Sequence, residues 1–342
     1  MKVVLDYAWL ILGVALLAGL MTAGLRRYAL ARKLVDMPNA RSSHSVPTPR
    51  GGGLAIVLSV LAALAVLAMQ EVLPWPWAAA LLGAGAIVAL VGFVDDHSPI
   101  AVRWRLLAHF VAAAWALAWM GGAPPILVLG SIIESSWVSC GLALVYLVWM
   151  LNLYNFMDGI DGIASVEGIC VGLGGAALYL LADEPALAVL PLTLAAATVG
   201  FLYWNLPPAR IFMGDAGSGF LGITLGTMSL QAGWVSPALF WSWLILLGVF
   251  VVDATFTLLH RLLRGDRIYE AHRSHAYQFA ARHFGRHLPV ALAVGALNLG
   301  WLLPLALWVG SGRLDGIVGV VIAYLPLLLL AIRFHAGKPE LG

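Results

Sequence analysis

The sequence predicts an all-α, polytopic membrane protein, and three observations carry that expectation. Of its 342 residues, 62% are hydrophobic and only 11% are charged, where soluble chains carry about 25% charged residues. Apolar runs of about 20 residues, the length that crosses the hydrocarbon layer, recur from end to end. The net charge is only +2, yet the cations are strongly clustered along the chain.

The runs delimit eleven expected spans: 4–25, 51–70, 77–94, 106–121, 137–154, 163–182, 186–204, 217–234, 238–259, 288–309 and 315–333. The first resembles a signal peptide only in hydropathy. It lacks a small-residue cleavage pattern and stops at Arg26 and Arg27, so a retained helix is expected. Alternating sides from that helix gathers loops 26–50, 95–105, 155–162, 205–216, 260–287 and the tail 334–342 on one face. With Arg333, that face holds 17 of the 19 Lys and Arg; only Lys2 and Arg313 fall opposite. The positive-inside rule makes it cytoplasmic, with a periplasmic N-terminus and a cytoplasmic C-terminus. Cys140 and Cys170 sit in apolar runs without metal or redox spacing and are expected to be small core residues. The chain reads as one integral-membrane domain, 1–342, with chemistry concentrated in the loops of a single face.

The central loop reads NLYNFMDGIDGI from Asn152 to Ile163. Asn155, Asp158 and Asp161 stand three apart, which on a helix puts them on one face. Glycines after each acid leave that face open to a close ligand. Acids at the bilayer edge are functional candidates, although a glycine-rich turn with capping Asp and Asn is the plainer alternative.

The remaining loops supply complementary chemistry. Loop one, DMPNARSSHSVPTPRGGG from Asp36, offers Arg41, His44, Thr48 and Arg50 to phosphate oxygens, and its glycines open a helix N-terminus suited to an anion. Loop two begins with Asp95 and Asp96 at the end of a span, with Arg103 and Arg105 expected either to neutralise the pair or to hold an anionic substrate. Loop four, NLPPARIFMGDAGSG from Asn205, places Asp215 at a helix start, where it either caps the helix or joins Asp158 or Asp161 in an oxygen site for magnesium. Phe212 is an aromatic suited to stack on a planar base or simply to pack. Loop five is the longest and most basic, centred on His272, Arg273, His275, Tyr277 and Gln278. The two histidines lack a third zinc ligand, so phosphate or sugar contact is the better expectation. Asp253, inside the ninth span, is expected to be structural and paired with a loop arginine.

Taken in order, RSSHSVPTPRGGG, DD, NFMDGIDG, NLPPARIFMGDAGSGFLG and AHRSHAYQ resemble the polyprenyl-phosphate N-acetylhexosamine-1-phosphate transferases, from about residue 36 to 280. The most similar branch is the bacterial O-antigen-initiating enzymes. The resemblance implies transfer of HexNAc-1-phosphate (GlcNAc, or a 6-deoxy sugar such as FucNAc or QuiNAc) from a UDP-N-acetylhexosamine to undecaprenyl phosphate in the inner membrane. It also implies Mg²⁺, with Mn²⁺ as a substitute, a membrane-lipid environment, a homodimer by analogy, and no nucleic-acid partner. By position, Asp95 and Asp96 match the family's paired aspartates near the lipid phosphate, and Asp158 and Asp161 its DGxDG loop. The resemblance implies a metal-binding aspartate in that loop, which Asn155 joins, or at Asp215; Asp158, Asp215 and Asn155 are the expected metal set. Asn205 and Phe212 match positions near the uridine, and His272, Arg273 and His275 the loop over the sugar-phosphate. The peptidoglycan branch has a lysine where this chain has Pro99, and three histidines where it has HRSH, which argues against a muramyl-pentapeptide donor. Two alternatives are weaker. An ion-coupled transporter would bury its acids near the midplane, and a CDP-alcohol phosphotransferase needs a longer acidic signature than DGIDGIAS.

Overall fold

A computed structural model describes residues 2–38, 46–266 and 272–339. A short helix, α1 (Lys2–Asp6), leads into α2 (Ala8–Ala31). Strands β1 (Val35–Asp36) and β2 (Thr48–Pro49) pair antiparallel before α3 (Leu54–Met69). There follow α4 (Trp75–His97), α5 (Val102–Met120), and the hairpin β3 (Ile126–Val128) and β4 (Ser131–Ile133). The chain continues through α6 (Trp137–Met157), α7 (Ile163–Leu181), α8 (Pro185–Asn205) and α9 (Asp215–Val235). Next come α10 (Pro237–Leu246), α11 (Gly248–Leu263), α12 (Ala276–Phe284) and α13 (Leu288–Leu297). A π-helical turn, Asn298–Leu302, joins α13 to α14 (Leu303–Gly310), and α15 (Gly316–Arg333) ends the bundle.

Every predicted span coincides with helix. Among the described residues, seven helices are long and apolar enough to cross a membrane, and eight if the pair α10 and α11 is one span. Helix α3 is shorter, and α5 and α9 fall outside that group. The reason differs for the last two. α5 carries Arg103, Arg105 and His109. α9 is rich in glycine and hydroxyl side chains and is buried from Ala216 to Gly233. A helix surrounded by protein does not need a lipid-facing apolar surface. α9 is thus the post of the bundle, with α3, α4, α6 and α10 packed around it. Together these features make the protein a multi-pass helical membrane protein.

Helix ends follow local chemistry. Ser136 and Ser139 form a capping box at the start of α6, and Asp315 accepts from the amides of Ile317 and Val318 at the start of α15. Four features depart from the sequence reading. Helix α4 runs past residue 94, so Asp95 and Asp96 occupy its last turn and not a loop. The ninth span is broken at Leu247, and its halves meet at 71°. Loop five contains α12, and the connector after α5 contains a hairpin. Short amphipathic or two-stranded elements leave no signal when the search is for long apolar runs.

Candidate active site

The central loop is not one helical face. α6 ends at Met157, and Asp158 is its C-cap with φ −86° and ψ 48°. The chain turns through Gly159 and Ile160 before Gly162, at φ +79°, admits α7. Asn155, Asp158 and Asp161 nevertheless line one cleft of about 280 Å³, together with Asp36, Arg50, Asp96, Asn205, Phe212, Asp215 and Gln278. At Gly159 the packing explains the residue type. A Cβ there would lie 2.1 Å from the Tyr277 hydroxyl, which itself donates to the Phe156 carbonyl at 3.0 Å.

Two residues of this cleft act as struts between loops. Asp161 accepts from the Ala209 amide at 3.0 Å and faces His287 Nδ1 at 3.2 Å, so it ties loops three, four and five together. Asn205, only 3% exposed, accepts from the Gly162 amide at 2.9 Å and donates to the Ile211 carbonyl at 3.0 Å. Its amide is engaged with backbone, while Phe212 lines both the cleft and an adjoining groove.

The paired aspartates divide their work. Asp96 faces the cleft and accepts from the amides of Asp215 (3.1 Å) and Ala216 (3.4 Å), capping α9 from a neighbouring helix. That placement explains how an acid is tolerated at the C-terminus of its own helix: it meets the positive end of another. A Cβ on Gly214 would strike the same carboxylate at 2.6 Å. Asp95 lies outside the cleft wall, where it binds Arg105 Nη1 at 2.6 Å and accepts from the Ile100 amide at 2.5 Å, and its carboxyl meets that of Asp215. Arg105 also reaches Asp215 at 3.5 Å. Arg105 therefore fulfils the neutralising role expected of the two loop-two arginines, while Arg103 instead lies over the Trp104 ring.

Loop one closes the other side. The amides of Gly52 and Gly53 donate to Phe212 and Met213 carbonyls at 2.9 and 2.8 Å, and Phe212 donates to Pro49 at 2.8 Å. Two amides at the entry to α3 are thereby engaged with loop four's carbonyls. Arg50 points into the cleft and donates to the Asp96 carbonyl. Thr48 lies in an adjoining groove of about 840 Å³ that shares Asp161, Phe212 and His287 with the cleft and is flanked by Arg26 and Arg210. Arg41 and His44 lie outside the described residues.

Loop five sits beside the cleft. His275 is buried and faces Asp253 at 3.3 Å. Asp253 also accepts from the amides of Ala276 and Tyr277, both at 3.0 Å, and so caps α12. Among the described residues the partners of Asp253 are thus a histidine, two amides and the Thr257 hydroxyl, not the expected arginine. His272 stacks on His275 at 4.9 Å. Arg273 lines a neighbouring basic hollow with Arg282 and Arg286, which shares Gln278 and His287 with the cleft. Neither His272, Arg273 nor His275 is part of the cleft wall in this conformation. Asp36, Gln278 and His287 are part of it, and no spacing rule marks Asp36 or His287, which approach only through tertiary folding.

The electrostatics ask for a cation. Burial pushes Asp158 well above the ordinary carboxylate range, and Asp215, Asp96 and Asp161 push it further. Burial raises Asp215 as well, and Asn155 hydrogen-bonds to it. Among the described residues no three His, Cys, Asp or Glu side chains form a ready metal cage. Magnesium does not require one, since it keeps waters and takes one or two carboxylates plus phosphate oxygens. The donor set of Asp158, Asp215 and the Asn155 carbonyl oxygen fits that habit.

Known proteins are similar to this chain over most of its length. The family model for glycosyl transferase family 4 matches residues 78–233. A probable undecaprenyl-phosphate N-acetylglucosaminyl 1-phosphate transferase of Bacillus subtilis is 32% identical, over 75% of this chain and 72% of its own. A decaprenyl-phosphate N-acetylglucosaminephosphotransferase of Mycolicibacterium smegmatis is 30% identical, over 91% and 85%. A phospho-N-acetylmuramoyl-pentapeptide-transferase of Synechococcus elongatus is 31% identical, over 72% and 69%. These relatives lend no support to a transporter. The chain belongs to the polyprenyl-phosphate N-acetylhexosamine-1-phosphate transferases of glycosyl transferase family 4.

Proposed function

We propose that this protein transfers HexNAc-1-phosphate from a UDP-sugar to undecaprenyl phosphate, releasing UMP. The observation that carries the reading is the convergence of five acids, Asp36, Asp96, Asp158, Asp161 and Asp215, with Arg50 in one cleft. A cleft that acidic has no use for an anionic substrate unless a divalent ion mediates. Mg²⁺, or Mn²⁺ in its place, held by Asp158, Asp215 and Asn155, would supply charge neutralisation for a diphosphate.

An oxygen of the lipid phosphate attacks the donor's β-phosphorus; the new P–O bond forms as the bond to the bridging oxygen breaks, and UMP leaves with that oxygen. The acceptor phosphate has a second pKa near 6 and is largely dianionic at neutral pH, so it needs little help from a base. Placement and relief of repulsion are the main demands of phosphoryl transfer. Arg50 offers a guanidinium to the phosphates from the cleft wall. Asp96 faces the acceptor's approach while fixing the α9 N-terminus that carries Asp215. Phe212 offers its ring to the uracil, between the cleft and the groove. His272 and Arg273 come to the sugar-phosphate from the rim.

The wider assignments belong to the same proposal. Eleven spans with a periplasmic N-terminus put the site on the cytoplasmic face of the inner membrane, where the cations cluster. A GlcNAc or 6-deoxy HexNAc donor, a role in starting O-antigen synthesis, and a homodimer follow the branch that the motifs resemble. The test is transfer of radiolabel to lipid in membranes carrying the protein, across a panel of UDP-HexNAc donors, with and without EDTA. Labelled lipid and equimolar UMP from at least one donor, lost with EDTA, is expected. No lipid-linked product from any donor would sink the reading.

A further inference from the structure

The turn that follows α15 reaches back to loop five. After Arg333 the chain reverses at His335, whose φ of +55° lies in a region that histidine enters more readily than most side chains. The Ala336 amide then donates to the Ala331 carbonyl at 2.9 Å. Ala336 is buried against Ala331 and against Ala276, the first residue of α12. The Phe334 ring meets those of His283 and Phe284, and His335 meets Phe279 edge-on at 6.3 Å. One side of α12 thus rests on residues 334–336.

Gly337 carries the contact further through hydrogen bonds. Its amide donates to the Ser274 carbonyl at 2.7 Å, and its own carbonyl accepts from Arg264 Nη1 at 2.7 Å. Arg264 is the C-cap residue of α11, and the Ser274 hydroxyl meets His272 Nδ1 at 2.9 Å. One line of contacts therefore runs from the end of α11, through the turn after α15, to His272. A side chain does not fit at its middle. Gly337 has φ +79°, and a Cβ there would lie 2.8 Å from both Cβ and Nδ1 of His260.

Loop five is thus held at two places. Asp253 meets His275 and the amides of Ala276 and Tyr277, where the loop enters α12. The turn after α15 takes the stretch before it, Ser274 and through its hydroxyl His272. We propose that Gly337 is a positioning residue: held by Arg264, the turn at residues 334–337 straps loop five and sets His272 and Arg273 beside the carboxylate cleft. For its effect on turnover the idea rests on the transferase reading; for its effect on geometry it does not.

The experiment therefore has two arms, run on Gly337→Val, Arg264→Ala, Arg264→Lys and Asp266→Asn. Amide hydrogen exchange, read by mass spectrometry on peptides covering residues 272–279, reports the strap without substrate. G337V and R264A are expected to exchange there about tenfold faster than the parent, or more. R264K keeps a donor for the Gly337 carbonyl and is expected to exchange near the parent rate, a rescue that a generic packing defect would not give. Asp266 also pairs with Arg264, at 3.2 Å, so D266N is the control and should match the parent. In the transfer assay, the KM for the UDP-sugar is expected to rise about tenfold in G337V and R264A, the scale of one hydrogen bond to a charged group. The KM for undecaprenyl phosphate should hold. A smaller folded fraction would lower kcat and move neither KM, so it does not imitate this result. Parent-like exchange in both G337V and R264A overturns the proposal, as does faster exchange with an unmoved donor KM, or a D266N protein that behaves as R264A. Should G337V fail to fold, R264A and its rescue by R264K decide. Inactivity of the parent protein with every donor would defeat the transferase reading and leave the exchange result standing.

Discussion

Arg105 stands between two acids of different fate, 2.6 Å from Asp95 and 3.5 Å from Asp215. Asp215 lines the cleft, whereas Asp95 stands behind it, its carboxyl against that of Asp215. Among the described residues Arg105 is the cation paired with Asp215, so it holds in place the carboxylate that the metal proposal needs. Its side chain is 30% exposed, so the pair's contribution to stability is modest and screened; its contribution to placement is the larger effect.

Replacing Arg105 therefore tests positioning. Arg105→Gln is expected to lower kcat/KM by about 10–100-fold, the usual cost of losing a residue behind a metal ligand. Arg105→Lys should recover part of it, since a point charge reaches one acid but cannot bridge two as a planar fork does. Steady-state kinetics over a magnesium titration reads both. Equal activity in all three proteins would show that Asp215 needs no holder.

The raised carboxylates predict a pH signature. A carboxyl whose folded pKa lies above its unfolded value favours the folded state when protonated, and that advantage is lost as pH rises through the folded pKa. Burial raises both Asp158 and Asp215. The metal-free protein in detergent should therefore melt at a higher temperature in mildly acidic buffer than at pH 8. Magnesium, which binds the deprotonated form, should raise Tm more at pH 8 than in acid. Asp158→Asn and Asp215→Asn should each flatten the pH trend and shrink the magnesium shift, and each should cut turnover by at least about a hundredfold. Parallel magnesium shifts in parent and variants would remove both residues from the metal set.

Asn205 and Phe212 are adjacent on the cleft wall, but their contacts predict different failures. Asn205→Ala strips partners from the Gly162 amide and the Ile211 carbonyl, a loss of about 1–3 kcal/mol per stranded buried group. Its Tm should fall along with activity. Phe212→Leu keeps the backbone bonds to Pro49 and Gly52 and removes the ring, so its main effect should be a higher KM for the UDP-sugar, with a smaller fall in Tm than in Asn205→Ala. Thermal melts beside donor-saturation curves separate the two, and a reversed pattern would exchange the roles.

How much was legible beforehand follows from what kind of signal each residue leaves. The apolar runs located every long helix, because lipid and bundle core both demand apolar side chains over a fixed length. Motif order brought Asp96, Asp158, Asp161, Asp215, Arg50, Asn155, Asn205 and Phe212 to one cleft. Spacing misread their local setting, however. Asn155, Asp158 and Asp161 share a cleft because the chain leaves the helix at Asp158, not because a helix aligns them. Asp36 and His287 left no trace in one dimension, since β1 and the start of α13 reach the cleft only when loops one and five fold inward. The 71° bend was equally hidden: a break between two apolar halves keeps the hydropathy of one continuous span.

The last prediction concerns the closest approach in the site. Tyr277 lies over Gly159 so tightly that a Cβ would sit 2.1 Å from its hydroxyl oxygen and 3.1 Å from the ring carbon that bears it. Gly159→Ala alone must displace α12 or the Asp158 loop, and overpacking of this kind costs about 1–3 kcal/mol. Because the displaced element carries either Asp158 or the loop seated by Asp253, activity should fall further than stability. Tyr277→Phe removes the offending oxygen and with it the bond to Phe156, at a cost of about 0.5–1.5 kcal/mol. In the double variant the worst overlap is gone and only the two 3.1 Å contacts, to the ring carbon and to Gln278 Nε2, remain, so G159A and Y277F should couple favourably. The double variant should be more stable and more active than G159A alone. Simple additivity of the two losses, measured by thermal melts and by kcat, would mean that the tyrosine does not press on the Asp158 loop in the working enzyme.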